Sequence, residues 1–571
     1  MVESVPRGSL GAPQVIRAAR ARLHTRLRAA KGASPELAAG ALAIAAALYV
    51  AGTKLRRGFP LDDAWIHMQY GLSLARHGVV GYNDGVSSTG CTSPSWVIVA
   101  ALAHLLAAAK GPSMAAALGL KAMGMVAFAV SAAASARLAR AISPRGPGAA
   151  CACAAGALVA ATPLLAYAAV SGMEVPLASA LLVSSFFAAV RGRALGAGTL
   201  AGLAAITRPE AVVVVPGVVL LVWLASSRRP VMRALVAAAA SAVPLGAVAL
   251  RTLVVSGRPL PATFYVKANP GAQTLGAALR RGFVDLLGVE APTSRLALWA
   301  TVAGAVVVGG LSAWRRVRTR RAEAHGLRGC AVGLVALSGL AYVAGASLVM
   351  VIEYPRSFYY QRYLAPALPL LAVAGVSGLA WVVRRIATYL ARTPPPSMVS
   401  VVALVVPALL VADELRAWPA HRAAYRASVT GIDEIQVALG RFIDGHVPAD
   451  GVVWSVDAGA IRYFGRRTTV DLVRLNTPEV FHEVDVDPRY APDAVVTIPR
   501  EFLLGVEPDG LLELAGVAEP SSGTKEERSL VQQQVYVCVA ERTHDERGRV
   551  AVLKKTGGEL LLIARSKCRE R

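Results

Sequence analysis

The sequence predicts a polytopic α-helical membrane protein of about eleven spans, closed by an extracytoplasmic α/β domain at its C-terminal end. Three observations carry that expectation. Hydrophobic residues make up 55% of the 571 residues and charged ones 17%, with a mean hydropathy of +0.50, too apolar for a chain whose whole surface meets water. Apolar runs long enough to span recur through the first 415 residues. The net charge of +24 is unevenly placed: residues 1–415 carry 39 Lys and Arg against 13 Asp and Glu, residues 416–571 carry 21 against 23. The excess therefore lies in the apolar part, where short basic loops set topology. No basic soluble module exists to bind nucleic acid.

The elements follow in order. A basic tail (1–35, with Arg17, Arg20, Arg22, Arg26, Arg28 and Lys31) precedes a first, uncleaved helix at 37–53. Further spans are expected near 113–136, 149–169, 174–190, 195–206, 211–227, 234–255, 296–314, 329–351, 363–383 and 398–412. The apolar run 97–109 is too short to span and reads as an interfacial helix. With that choice the basic N-terminus and the loops after residues 136, 190, 227, 314 and 383 fall on one side, together holding 24 Lys and Arg against Glu3 and Glu323. That side is cytoplasmic by the positive-inside rule. The loop 55–112 then lies outside, as do 256–295, 352–362 and the tail 416–571, and the transmembrane domain covers 36–415. Pro209 stops the short span 195–206, and an interrupted span often marks a site. In the tail, Gly451–Val456 and Ala494–Ile498 read as buried strands, and Trp454 as core. Of six cysteines, none has metal spacing; Cys538 and Cys568 are candidates to pair on an oxidising side.

The residues able to do chemistry are few. Leu61-Asp62-Asp63-Ala64-Trp65-Ile66 stands just outside the first helix. Adjacent carboxylates repel, which favours protonating one or neutralising it with a cation. One can act as general base towards a hydroxyl, while its neighbour holds Mg²⁺ or Mn²⁺. The plainer reading is a helix cap before a helix through Trp65–Leu74.

Asp62-Asp63-Ala64-Trp65-Ile66, then Gly78 to Tyr82-Asn83, then Thr92-Ser93-Pro94-Ser95-Trp96, resemble the first external loop of GT-C glycosyltransferases, polytopic enzymes that use polyprenyl-phosphate-linked sugars. Ser171-Gly172-Met173-Glu174, Thr207-Arg208-Pro209-Glu210, Pro261 to Lys267 and Arg362-Tyr363-Leu364-Ala365-Pro366 follow in the family's order. Asp457-Ala458-Gly459-Ala460-Ile461 and Val470-Asp471-Leu472-Val473 resemble the extracytoplasmic domain of the arabinofuranosyltransferase-like branch, associated with terminal capping of cell-wall arabinan. The chain departs from that branch at Gln69 and at Arg462 and Arg474, where arginine and glycine are common, and across Val86–Thr92.

The resemblance implies transfer of a sugar, arabinofuranose in that branch, from a polyprenyl-phosphate donor to a glycan or glycolipid hydroxyl at the outer face of the plasma membrane. The family's loop aspartate aligns with Asp62 or Asp63. Asp62 is taken as the base, with Asp63 orienting the acceptor or holding a divalent cation. Arg208, Arg362 and Lys267 are the candidates to stabilise charge on the donor phosphate, the arginines ahead of the lysine because a guanidinium grips phosphate bidentately. Glu174, Glu210, Tyr265, Tyr363 and His67 are candidate substrate contacts. Each also has a structural reading: Glu174 and Glu210 as partners of Arg208, Arg362 as an interfacial snorkel, the tyrosines as belt aromatics. A lipid-linked-glycan transporter and an inactive glycan-binding protein are the competing classes. The transporter predicts internal repeats, and none is visible.

Overall fold

Every apolar run expected in the first 415 residues forms a helix, and the places where those helices break are set by proline and glycine. The computed structural model describes residues 35–267, 275–280, 283, 292–319, 324–349, 361–389, 396–455, 457–471, 475–477, 494–497, 512–518 and 533–538. The helices are α1 (Pro35–Lys54), α2 (Asp63–His77), α3 (Pro94–Leu106), α4 (Met114–Ile142), α5 (Gly148–Ala161), α6 (Pro163–Val170), α7 (Val175–Val190), α8 (Ala194–Thr207), α9 (Val215–Ala225), α10 (Pro230–Ser256), α11 (Ala262–Lys267) and α12 (Leu275–Arg280). There follow α13 (Pro292–Thr319), α14 (Ala324–Val349), α15 (Leu368–Tyr389), α16 (Pro396–Ile432), α17 (Ala438–His446) and α18 (Ala460–Gly465).

Among the described residues six helices are long and apolar enough to cross a membrane alone, and α5 with α6, bent by 59°, makes a seventh. The chain is a multi-pass helical membrane protein. The 149–169 run divides because Thr162 precedes Pro163 and takes an extended conformation (ψ 112), as residues before proline do. The expected stop at Pro209 is also present. α8 ends at Thr207, Arg208 is extended (φ −142, ψ 114), and a 3-10 turn over Pro209–Val214 leads into α9.

Helix α8 meets α10 through small residues. A Cβ on Gly198 would lie 2.1 Å from the Ala237 carbonyl oxygen, and one on Gly202 would lie 2.4 Å from that of Ser241. Without a hydrophobic drive between helices in lipid, such close backbone approach is what holds them. The 55–112 segment forms α2 and α3, packed on one another. α3 buries Trp96, Val97, Ala100 and His104 and exposes Ile98, Leu102, Leu105 and Leu106, the two-faced pattern of an interfacial helix.

The expected boundary at 415/416 falls inside a helix. α16 runs through it, past Pro407 and Pro419, and continues by a π-helical turn (Asp433–Val437) into α17. A five-stranded mixed sheet follows: β1 (Val452–Ser455), β2 (Thr468–Asp471), β3 (Ala494–Thr497), β4 (Leu512–Ala518) and β5 (Gln533–Cys538), in the order β2-β1-β3-β5-β4. β2, β1 and β3 are parallel, with Trp454 opposite Val470 and Val495, while β5 runs antiparallel to β3 and to β4. Trp454 is fully buried, and Ile435, Leu439 and Ile443 pack against Val453 and Ile461. Residues 1–34, the Arg474 position and Cys568 lie outside the described residues, so the proposed cysteine pair does too.

Candidate active site

Helix α2 places its acids in two directions. Adjacent helical residues point about 100° apart, and Asp62, at the cap of α2, faces the start of α18 while Asp63, its first residue, faces a cavity of about 370 Å³. The cavity also takes in His67, Glu174, Arg208, Glu210, Arg362 and Tyr363. Seven residues singled out from sequence, spread over 300 positions of chain, thus meet around one space.

Their contacts form a charged network. Arg362 Nη2 donates to Asp63 Oδ2 at 2.5 Å, with the Arg362 side chain 2% exposed and that of Asp63 29%. Arg208 Nη2 meets Glu174 Oε1 at 2.9 Å and its Nη1 lies 3.7 Å from Glu210 Oε1. His67 Nε2 is 3.2 Å from the other oxygen of Glu174. Both guanidiniums lie against the Tyr363 ring, that of Arg208 at 4.8 Å and that of Arg362 at 5.2 Å from its centroid, within cation–π range. Arg208 Nε, Glu210 Oε2 and Thr263 Oγ1, all on cavity-lining residues, are buried without a hydrogen-bond partner among the described residues. Buried polar groups are normally satisfied, so these atoms mark places a polar ligand can fill. The rest of the lining is apolar and includes Val212, Val213, Leu245, Val248, Leu260 and Phe264.

Two expected residues are not brought into the cavity lining. Asp62, taken from sequence as the base, gives both oxygens to the sheet unit: Oδ2 accepts from Gly459 N–H at 2.6 Å and Oδ1 from Ala460 N–H at 2.7 Å. Burial first, and then the carboxyl of Asp457, push its pKa up to about 8, against the pull of those two bonds. Tyr265 is 40% exposed with its ring against Arg258, 5.2 Å away. Lys267 ends α11, and its side chain lies outside the described residues.

A divalent cation is not matched by the side chains that converge here. Among the described residues no three His, Cys, Asp or Glu come together, and Asp63 and Glu174 each face a guanidinium, whereas Mg²⁺ or Mn²⁺ wants several free oxygen ligands.

Sequence reasoning missed Lys121. It is fully buried on α4, and its Nζ donates to the carbonyls of Lys54, Leu55, Arg57 and Gly58 at 3.4, 3.1, 2.9 and 2.8 Å. It thereby fixes the turn that delivers Asp62 and Asp63. Its signal was a single cation inside an apolar run, which is costly unless it is used. Arg462, noted only as a departure, is buried and ties α18 to the first loop, donating to Asn83 Oδ1 at 3.2 Å and Asp84 Oδ1 at 2.8 Å. Gln69, another departure, donates to the Tyr82 carbonyl at 2.9 Å.

Comparison with known proteins bears on the fold. The chain superposes on ArnT from Cupriavidus metallidurans bound to undecaprenyl phosphate with a TM-score of 0.55 at 15% identity, covering 88% of this chain and 98% of that one. The apo state of the same protein gives 0.54, with the same identity and coverage. The chain shares the fold of ArnT. Residues 423–547 match a family described as a domain of unknown function, DUF8728. No curated protein shows significant similarity to the sequence.

Proposed function

We propose that the protein is a GT-C-type glycosyltransferase that moves a sugar from a polyprenyl phosphate to a glycan or glycolipid hydroxyl, with arabinofuranose the first sugar to test. The observation that supports this reading is the double character of the cavity. Asp63, Arg208 and Arg362 gather beside Tyr363, and an apolar lining suited to an isoprenoid chain adjoins them. A neighbour of the same fold is bound to undecaprenyl phosphate.

The chemistry follows from those side chains. The acceptor oxygen attacks the anomeric carbon as the bond from that carbon to the phosphate oxygen breaks. The acceptor proton passes to Asp63, and the polyprenyl phosphate leaves. Arg208 and Arg362 stabilise the charge that grows on the departing phosphate. One displacement inverts the anomeric centre, through an oxocarbenium-like transition state. Asp63 replaces Asp62 as the preferred base because only Asp63 lines the cavity. The site faces the extracytoplasmic side of the plasma membrane, as loop charge requires.

The test is transfer by purified full-length protein offered a panel of polyprenyl-phosphate sugars. Asp63→Asn should lower kcat by about 10²–10⁴-fold, the usual contribution of a general base. Unchanged transfer in that variant would sink the assigned mechanism. No transfer from any donor, with labelled lipid moved across a vesicle membrane instead, would establish the transporter.

A further inference from the structure

We propose that Asp62 is a positioning residue: it latches the C-terminal α/β unit onto α2 and so fixes where Asp63 stands in the cavity. The inference rests on the functional reading above only in its kinetic part.

The latch is built from both sides. The amides of Gly459 and Ala460 open α18, where first-turn N–H groups have no acceptor within the helix. Both are taken by one carboxyl group, 397 and 398 positions away, at 2.6 and 2.7 Å. Only glycine allows that approach, since a Cβ on residue 459 would lie 2.1 Å from the Asp62 carbonyl oxygen and 2.6 Å from its Oδ2. Contacts around the latch make it a seam. Trp65 packs against Tyr463 and Phe464 with ring centroids 5.2 and 4.8 Å apart. Tyr82 Oη donates to the Ala458 carbonyl at 2.5 Å. Asn83 pairs both ways with the Thr469 backbone at 3.0 Å.

Asp62 and Asp63 are consecutive at the start of one helix, so a shift of one carries the other. The first turn of α2 is itself anchored on Asp62, whose carbonyl accepts from Trp65 N–H at 2.9 Å. A reacting group displaced by about 1 Å can lose roughly 10²-fold in rate. Arg208, which the proposal assigns to the donor, is held by Glu174, Glu210 and the Tyr363 ring, outside this seam.

The experiment compares wild type, Asp62→Asn, Gly459→Ala, the double variant and Asp63→Asn, all full-length. Asp62→Asn sets an amide NH₂ against one N–H, and Gly459→Ala blocks the approach. Each should lower kcat by about 10–100-fold while the donor KM moves less than threefold. The double variant should be no worse than the poorer single, because both remove one interaction. Hydrogen exchange in peptides covering 459–464 should quicken at least tenfold in Asp62→Asn and Gly459→Ala and stay unchanged in Asp63→Asn. A wild-type kcat in Gly459→Ala beside an inactive Asp62→Asn overturns the proposal and makes Asp62 a group acting on substrate. Unaltered exchange in Asp62→Asn overturns it as well. If wild type transfers from no donor, the functional reading fails by itself, and the exchange comparison still decides the latch.

Discussion

Arg208 sits in extended backbone between a helix that proline ends and a 3-10 turn, and Glu174, Glu210 and the Tyr363 ring all meet its guanidinium. Its side chain is 4% exposed and that of Glu174 7%. Breaking a buried pair by removing one partner leaves an uncompensated charge and costs about 3–5 kcal/mol. Glu174→Gln should therefore lower the midpoint of thermal unfolding in detergent, while Arg208→Lys, which keeps the charge and loses the fork, should weaken the proposed binding of a polyprenyl phosphate such as undecaprenyl phosphate by about tenfold or more. Titration with that lipid checks the second outcome. Asp62 gives a pH dependence of its own. Its folded pKa of about 8 stands above the ordinary carboxylate value of 3.8, so between those values the folded protein holds a proton that the unfolded chain has released. Stability falls as pH rises across that window and levels off above it. Unfolding midpoints from pH 5 to 9 should show that slope, and Asp62→Asn should flatten it. The sequence made Asp63, Glu174, Arg208 and Arg362 visible because charges are scarce in an apolar chain. It had no means of telling Asp62 from Asp63, since neighbours in sequence differ here only in which way a helix turns them.

Among the helices, the breaks were more legible than the partners. Pro163 and Pro209 announce their own effects, while the pairing of α8 with α10 depends on Gly198 and Gly202 finding Ala237 and Ser241, which no local pattern states. A bulky side chain at Gly202 should separate the two helices. Gly202→Val should cut the yield of folded protein severalfold by size-exclusion chromatography. Gly246→Ala, where a Cβ would meet nothing within 4 Å, should be neutral or stabilise by about 0.5–1 kcal/mol through helix propensity. Lys121→Met should loosen the turn from α1 to α2, because four carbonyls lose their shared donor. Leaving a buried acceptor such as the Gly58 carbonyl unmet costs about 1–3 kcal/mol, so a fall in unfolding midpoint is the expected reading.

Across the whole molecule, a multi-pass helical architecture was foreseeable from the apolar runs and their loop charges, and two of the five strands from strand-like segments. The junction between them was not. A composition shift near 415 sets the expected boundary, but α16 carries on because a helix with apolar residues on one part and charged residues on the next is still a helix. Orientation is checked by impermeant maleimide on intact cells expressing a cysteine-free background. Asp84→Cys and Arg466→Cys should label from outside, and Arg145→Cys should label only after permeabilisation.

That unbroken helix has one more consequence. Trp418 donates to the Ala161 carbonyl at 2.7 Å and Tyr425 to that of Val170 at 3.0 Å, so two points seven residues apart are keyed to the two arms of the bent α5–α6 pair. A seven-residue interval is close to two full turns. The rod is therefore phased as a crankshaft is: one residue added between Leu415 and Ile432 would swing everything beyond it by about 100° and advance it by about 1.5 Å. Gly459 would then arrive on the wrong side of α2. In this chain a length change of a single residue, far from any chemistry and chemically bland, acts as a mistimed gear.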